Sequence, residues 1–486
     1  MRKGIAGGLA ALLLAGGAAF GQTDGEVLVK QYDDGSVYEG TFLDGKQHGT
    51  GTYTLPNGFE YSGEWVAGEI RGKGTARYPD GSVYEGDFLG GKPFGRGKIT
   101  YANGGSYEGE WQDGQITGQG IARYADGSVY EGGMRSATHH GRGKLTAPGG
   151  AIYDGDWVDG VKEGTGLLSY PDGTVYEGAM QAGVRAGKGK LTMPNGLIYE
   201  GDWAEGQMQG SGTLTQPNGD RYEGSFAQGK RSGTGKMTYA SGAVYEGGFA
   251  NDLRHGKGRF SSPDGFVYEG DWAEGQMQGT GRMTYADGAV YQGAMVTGQP
   301  QGRGKITYKD GSSYEGDWQK GVIAGQGRAS YADGAIYVGA FAAGQAQGKG
   351  VLTRPDGFRY DGDWQAGKRS GKGKASYPGG AVYVGDFVDG IRQGQGELTM
   401  PDGFKYLGAW QGGEMSGKGI ATYPNGDVYE GEFQLGKRQG QGTLRYASGQ
   451  ETAGNWLNGI LVAPGSHPPA EGTAPDPDPP NPAPVP

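Results

Sequence analysis

The chain has 486 residues, of which 107 are glycine and 23 proline, with no cysteine, five histidines and a net charge of −10. The missing cysteine excludes disulfides, thiolate metal sites and a cysteine nucleophile, and the acidic balance argues against a nucleic-acid partner, which needs a basic face. Glycine at this level excludes a conventional globular core, because it adds no side chain to one and loses the most backbone entropy on folding.

Residues 1–21 read as a secretory signal peptide: Arg2 and Lys3, an apolar run around residues 9–14, then small residues. Cleavage is placed after Gly21, with Ala19 as the alternative site. A run so rich in glycine and alanine is a poor membrane span. Residues 22–31 form a short lead-in to a periodic region.

From residue 32 to 459 the chain keeps a 23-residue period without one insertion or deletion. Eighteen tyrosines, Tyr38 through Tyr429, mark it, and a worn nineteenth copy carries Thr452 in the tyrosine slot. Counted from each tyrosine, glycine fills offsets +2, +11, +13 and +20 in every full copy, and +7 in all but two, where Ala137 and Asp252 stand. These slots hold 88 of the 107 glycines, so the glycine content marks a repeat and not disorder. All nine tryptophans fall at offset +4, with Phe or Met in the other copies.

Within a repeat the pattern has period two, which indicates strands. In Tyr107-Glu108-Gly109-Glu110-Trp111 the rings and the glycine share one face and the acids the other. A second alternating run comes next, as in residues 95–101. Between repeats lie steps such as Pro79-Asp80-Gly81 and Pro194-Asn195-Gly196, whose Asp-Gly or Asn-Gly pair supplies positive φ for a tight hairpin turn. A second bend is expected near the +7 glycine. The glycines at +2, +11 and +13 are expected to leave bare backbone over which the rings lie. The opposite face is sorted by sign: acids fill 13 of 18 positions at +1 and 10 of 18 at +3, and Lys or Arg fill 9 of 18 at both +12 and +14. That pattern reads as a self-neutralising, solvated ladder, with a polyanion-binding stripe as the competing reading. The predicted fold is therefore all-β: an elongated, single-layer antiparallel meander of 23-residue hairpins, a rod of roughly 170 Å at two strands per repeat. Residues 460–486 are a Pro-rich tail, expected to be extended and unstructured.

The pattern Y-x-G-x-[W/F]-x-x-G-x-x-x-G-x-G, as in Tyr84-Glu85-Gly86-Asp87-Phe88 through Gly91, Gly95 and Gly97, resembles the MORN (membrane occupation and recognition nexus) repeat. The resemblance covers nearly all of the chain between leader and tail. It implies hairpins in an extended antiparallel sheet, used as a scaffold, dimerisation or membrane-proximal interaction module. Some members of that family also carry a lipid-kinase or lysine-methyltransferase domain, for which the flanks of this array leave no room.

The sequence points to no enzyme, no cofactor and no metal site. Gly-x-Gly recurs without the helix or Gly-Lys-Ser/Thr of a phosphate loop, and the turn aspartates Asp80, Asp126, Asp172 and Asp264 lack calcium-loop spacing. His139 and His140 read as part of an exposed loop, beside the disrupted bend at Ala137. The candidate interaction surface is the periodic aromatic face: Trp65, Trp111, Trp157, Trp203, Trp272, Trp318, Trp364, Trp410, Tyr107, Tyr153, Tyr268 and Tyr314. Its rings are either the core itself or a core with a partly open groove for glycan or lipid. The expectation is an exported, non-enzymatic scaffold in the cell envelope, periplasmic or secreted. Its partner is an unidentified protein, with homodimerisation through the array ends and a lipid or glycan ligand as further options.

Overall fold

The computed structural model describes residues 26–462, and among these there are 39 β-strands and no helix. Contacts divide the chain into two units, residues 1–240 and 241–486. The first holds the strands from Val27–Gln31 to Lys230–Thr238, and the second those from Val244–Ala250 to Ile460–Val462. In each unit successive strands pair antiparallel with their sequence neighbours, which gives an open meander. The strand Val27–Gln31 lies in the lead-in, and Ile460–Val462 takes the first three residues assigned to the tail, so pairing extends past both bounds read from the sequence. The signal peptide and the rest of the tail fall outside the described residues.

One repeat shows the local logic of all. Strand Ser106–Gln112 turns through Asp113-Gly114 into strand Gln115–Arg123, and Tyr124–Ser128 then lead into Val129–Arg135. Both turns lie where the sequence places them, but the pair of positive φ values belongs to offsets +6 and +7 and not to the Asp-Gly step. Asp113 and Gly114 both have positive φ (51° and 78°), the two-residue hairpin turn whose twist matches its strands. At Tyr124-Ala125-Asp126-Gly127 only Gly127 is left-handed (φ 89°). Gly127 N–H donates to Tyr124 O at 2.9 Å, Tyr124 N–H donates to Ser128 O at 2.8 Å, and Asp126 Oδ1 accepts Ser128 N–H at 2.8 Å. A type I turn followed by one left-handed residue needs a single glycine, and its aspartate serves as a side-chain acceptor.

The +11 glycine also has a different role from the one expected. Gly63 pairs with Gly74 and Trp65 with Ile70, so Glu64 faces the three residues 71–73. The two extra residues form a bulge, and Gly72 at its centre has φ 98°. Because the insertion is even, it bends the strand without exchanging its faces. Only the +2 and +13 glycines lie under a ring. A Cβ on Gly86 would come within 2.6 Å of Tyr84 Oη and 2.7 Å of Arg96 O, and one on Gly97 would overlap the Tyr84 ring.

Two substitutions separate these roles. Gly97→Ala should cost about 3 kcal/mol or more, since the packed Tyr84 ring and hydroxyl fill the space of the new methyl. Ala137→Gly, which relieves a non-glycine residue at φ 61°, should stabilise by about 1 kcal/mol. Urea unfolding followed by circular dichroism reads both, and a destabilised Ala137→Gly variant would contradict the turn assignment.

Candidate functional site

The aromatic face is a closed stack. Tyr84 meets its own repeat's Phe88 edge-on at 5.0 Å and the next repeat's Trp111 at 5.0 Å, and Trp111 in turn meets Tyr107 at 5.7 Å. Each such T-shaped contact adds about 0.5–1.5 kcal/mol beyond burial. The polar tips are engaged as well. Tyr84 Oη donates to the carbonyl of Asp87 in the bulge at 3.0 Å, and Trp111 Nε1 donates to the carbonyl of Gly97 in the preceding repeat at 3.1 Å. The same tryptophan bond recurs at 2.9 Å in Trp157 and 3.0 Å in Trp364.

This settles where the sequence-derived candidates lie. Trp65, Trp111, Trp157, Trp203, Trp272, Trp318, Trp364 and Trp410 are 2–6% exposed, and Tyr107, Tyr153, Tyr268 and Tyr314 at most 2%. Within each unit they form the core and present no open ring to a glycan or lipid. Burial raises the core tyrosine hydroxyls, to about 12 for Tyr107, Tyr199 and Tyr268.

Sequence reading missed the arginines at offset +9, because it treated cations only as partners of the acidic strand. Arg369 and Arg392 are buried. Arg254 lies 4.1 Å over the Trp272 ring and Arg438 4.2 Å over Trp456. Their guanidiniums donate to the turn carbonyls of Gly275 and Gly459, at 3.0 and 2.7 Å. The parity of offset +9, shared with +11 and +13, was the available signal. His139 occupies this same slot and belongs to no exposed loop. It stacks on Tyr130 at 3.7 Å with an interplanar angle of 13°, and its Nε2 lies 2.6 Å from Tyr124 Oη. Desolvation lowers its pKa to about 4, so the ring is neutral near pH 7. His140 projects to the other face, with Nδ1 3.5 Å from Asp159, so the two rings do not converge.

The opposite face is polar and largely self-paired. Lys73–Asp87, Lys188–Asp202 and Lys349–Asp363 bridge adjacent repeats, each at 2.6 Å. Asp202 Oδ2 also accepts the backbone N–H of Ser211 at 2.9 Å, so the +3 aspartate closes the bulge within its own repeat. The lysine hydrogen bond and then this backbone bond hold the Asp202 carboxyl below its usual range. Between the charged rows runs a shallow trough floored by glycine. In the second unit it encloses 860 Å³ lined by Lys257, Arg259, Glu269 and Arg282 over Gly258, Gly270 and Gly281.

In one stretch of the second unit this face changes character. Along the row formed by +1 and +14, acid and base alternate across Glu246, Arg259, Glu269 and Arg282. Further on, Val338 faces Val351 and Leu407 faces Ile420, with Asp361, Lys374, Val384 and Glu397 between these pairs. Val338, Val384, Leu407 and Ile420 are 40–56% exposed. Among the described residues no three His, Asp or Glu side chains are grouped to hold a metal ion.

The MORN repeat family model matches seventeen segments, 38–59, 61–83, 84–106 and 107–129, then 153–175 and each following period to 429–451. The chain belongs to the MORN-repeat family. The unmatched copy, 130–152, is the one with Ala137 and His139, and it forms the same hairpin as the rest. No curated protein matches the chain. Solved structures with some likeness include the SAS-4 TCP domain of Drosophila melanogaster in complex with a proline-rich motif of Ana2 (14% identity, 40% of this chain and 88% of that one, TM-score 0.20). Others are the TCP10 domain of Danio rerio CPAP with a STIL peptide (15%, 65% and 93%, TM-score 0.11) and virginiamycin B lyase from Staphylococcus aureus with quinupristin (11%, 65% and 92%, TM-score 0.11). These scores are too low to mark a shared overall fold.

The raised tyrosine values carry a prediction of sign. A hydroxyl whose folded pKa lies above its unfolded value of ~10 contributes stability that is complete below pH ~10 and is lost as pH rises towards 12. Absorbance at 295 nm should therefore show the core tyrosines ionising together with loss of the circular-dichroism signal. Ionisation of all 31 tyrosines near pH 10 with the fold intact would contradict a closed stack.

Proposed function

We propose that this chain is a non-enzymatic scaffold of the cell envelope, exported and using the charged face of its second unit to dock a protein partner. The carrying observation is a row in which Val338, Val351, Val384, Leu407 and Ile420 take slots that elsewhere carry charge, with Asp361, Lys374 and Glu397 interspersed among them, an apolar strip broken by single charges. Exposed apolar side chains rimmed by polar ones mark interaction surfaces. The strip is not needed for folding, because 13 of 18 copies form the same strand with an acid in the +1 slot. Asp361, Lys374 and Glu397 within the row and Glu430 at its end would orient the partner. Closure of the aromatic stack favours this face over a glycan or lipid groove. Export rests on residues 1–21, whose basic start, apolar middle and small-residue end have the pattern of a secretory signal.

Val384→Glu combined with Leu407→Glu restores the acid common at those slots and should leave the circular-dichroism spectrum unchanged. Proteins captured by the wild-type chain from an envelope fraction should be lost from this variant. Equal capture by both would remove the strip from consideration. The intact mass of protein recovered from the exported fraction should start at Gln22, or at Phe20 for the alternative cleavage; a mass that includes Met1 would refute export by this route.

A further inference from the structure

One aromatic row on the ring face escapes the closed stack. Offset +17 is tyrosine in 11 of 18 copies, and in the second unit the row includes Tyr377, Tyr423 and Tyr446, with Met400 on the rung between the first two. Tyr446 is 37% exposed, and Tyr377 and Tyr423 are partly exposed. These rings are held from beneath: Phe358 lies 5.5 Å from Tyr377, Phe404 5.6 Å from Tyr423, and Arg438 5.8 Å over Tyr423. Exposed Pro378, Pro401 and Pro424 come directly after Tyr377, Met400 and Tyr423. A Cβ on Gly380 would lie 2.9 Å from Pro401, so successive turns stack directly on one another. The result is a ladder of firm, half-open aromatic and apolar rungs.

The spacing of the ladder selects its ligand. Two strands per repeat at ~4.8 Å put a rung every ~9.6 Å. A polyproline II helix advances ~9.3 Å in each three-residue turn, and aromatic grooves recognise that helix at low entropic cost. The 24 residues after Val462 include such a sequence. Seven of the twelve residues 475–486 are proline; taken in threes, one edge reads Pro477, Pro480, Ala483, Pro486 and the next Pro479, Pro482, Val485. Charge agrees as well. This segment and its spacer hold Glu471, Asp476 and Asp478 and no Lys or Arg, whereas offsets +9, +17 and +21 between residues 354 and 446 carry Arg354, Arg369, Arg392 and Arg438 against Asp427, with Asp356 and Asp402 in the adjoining turns, a balance that stays positive. Reach is sufficient, since the twelve residues 463–474 span up to ~37 Å.

We propose that residues 475–486 dock in cis, as a polyproline II helix, on the ladder formed by Tyr377, Met400, Tyr423 and Tyr446. Tethering at the end of the last strand gives the segment an effective concentration in the millimolar range, so weak proline–tyrosine contacts suffice. This contact is on the opposite face from the apolar strip and does not depend on the partner proposed above. A proline-rich partner in trans would have to displace it.

The cysteine-free sequence makes the test clean. Val485→Cys in the full-length chain provides a single attachment point for a benzophenone photocrosslinker, and the chain is irradiated in an equal mixture with unmodified, isotopically heavy chain. Crosslinks should fall within residues 377–446, on the same chain, at ladder positions. Tyr423→Ala with Tyr446→Ala should reduce their yield roughly fivefold or more. Pro479→Gly with Pro482→Gly, which leaves the sheet untouched, should do the same if the ladder variant proves poorly folded. Crosslinks to the charged face, crosslinks into the heavy chain, or a yield unchanged by the proline variant would each overturn the proposal.

Discussion

The structure depends on one contact repeated along the chain: a tyrosine ring lying on two facing glycines. Tyr84 covers Gly86 and Gly97, which are paired across the hairpin, and its hydroxyl reaches the bulge carbonyl of Asp87. Any side chain at either glycine would lift the ring from the sheet. The ring then serves as one wall for Phe88 and another for Trp111, which links the repeat to its successor. A single sheet has no second layer to bury its apolar side chains. Here the ring-on-glycine contact brings the aromatic side chains close enough to bury one another.

The other features keep that contact in register. The bulge at Gly72 inserts two residues, which bends the strand while leaving every ring on its face. Aspartate at +3 closes the bulge with its carboxylate and accepts a lysine from the repeat before, as Asp202 does from Lys188. Arginine at +9 places its charge over the next tryptophan and donates to the next turn, as Arg438 does at Trp456 and Gly459. The lysine–aspartate pair and the arginine contacts each span one repeat boundary, so stability accumulates through nearest neighbours. The charged face is thereby left free to vary, and in the second unit it does vary, at Val338, Val384 and Leu407.

Much of this was legible in the period alone. Hairpins, the division into a ring face and a charged face, and the membership of Tyr84, Phe88 and Trp111 in one row are all read from spacing. What spacing could not separate were the glycines, since five slots look alike as letters. Gly97 is required for space, Gly72 and Gly127 for a left-handed backbone. The two turns were located but their types were not, because Asp-Gly satisfies both a two-residue hairpin and a type I turn closed by one glycine. Arg438 and His139 were overlooked as core elements because their chemistry suggests solvent, and only neighbouring rings and carbonyls make them fit inside.

The sequence by itself therefore determined the repeat, the strands and the sidedness, because these depend on residue order along the chain and period-two alternation reports it directly. Whether the aromatic face is open was a tertiary matter. Trp111 is 6% exposed because Tyr84 from the preceding repeat packs against its ring and Gly97 from that repeat accepts its N–H. Those partners lie 27 and 14 residues away in sequence, and only the register of the folded strands brings them together.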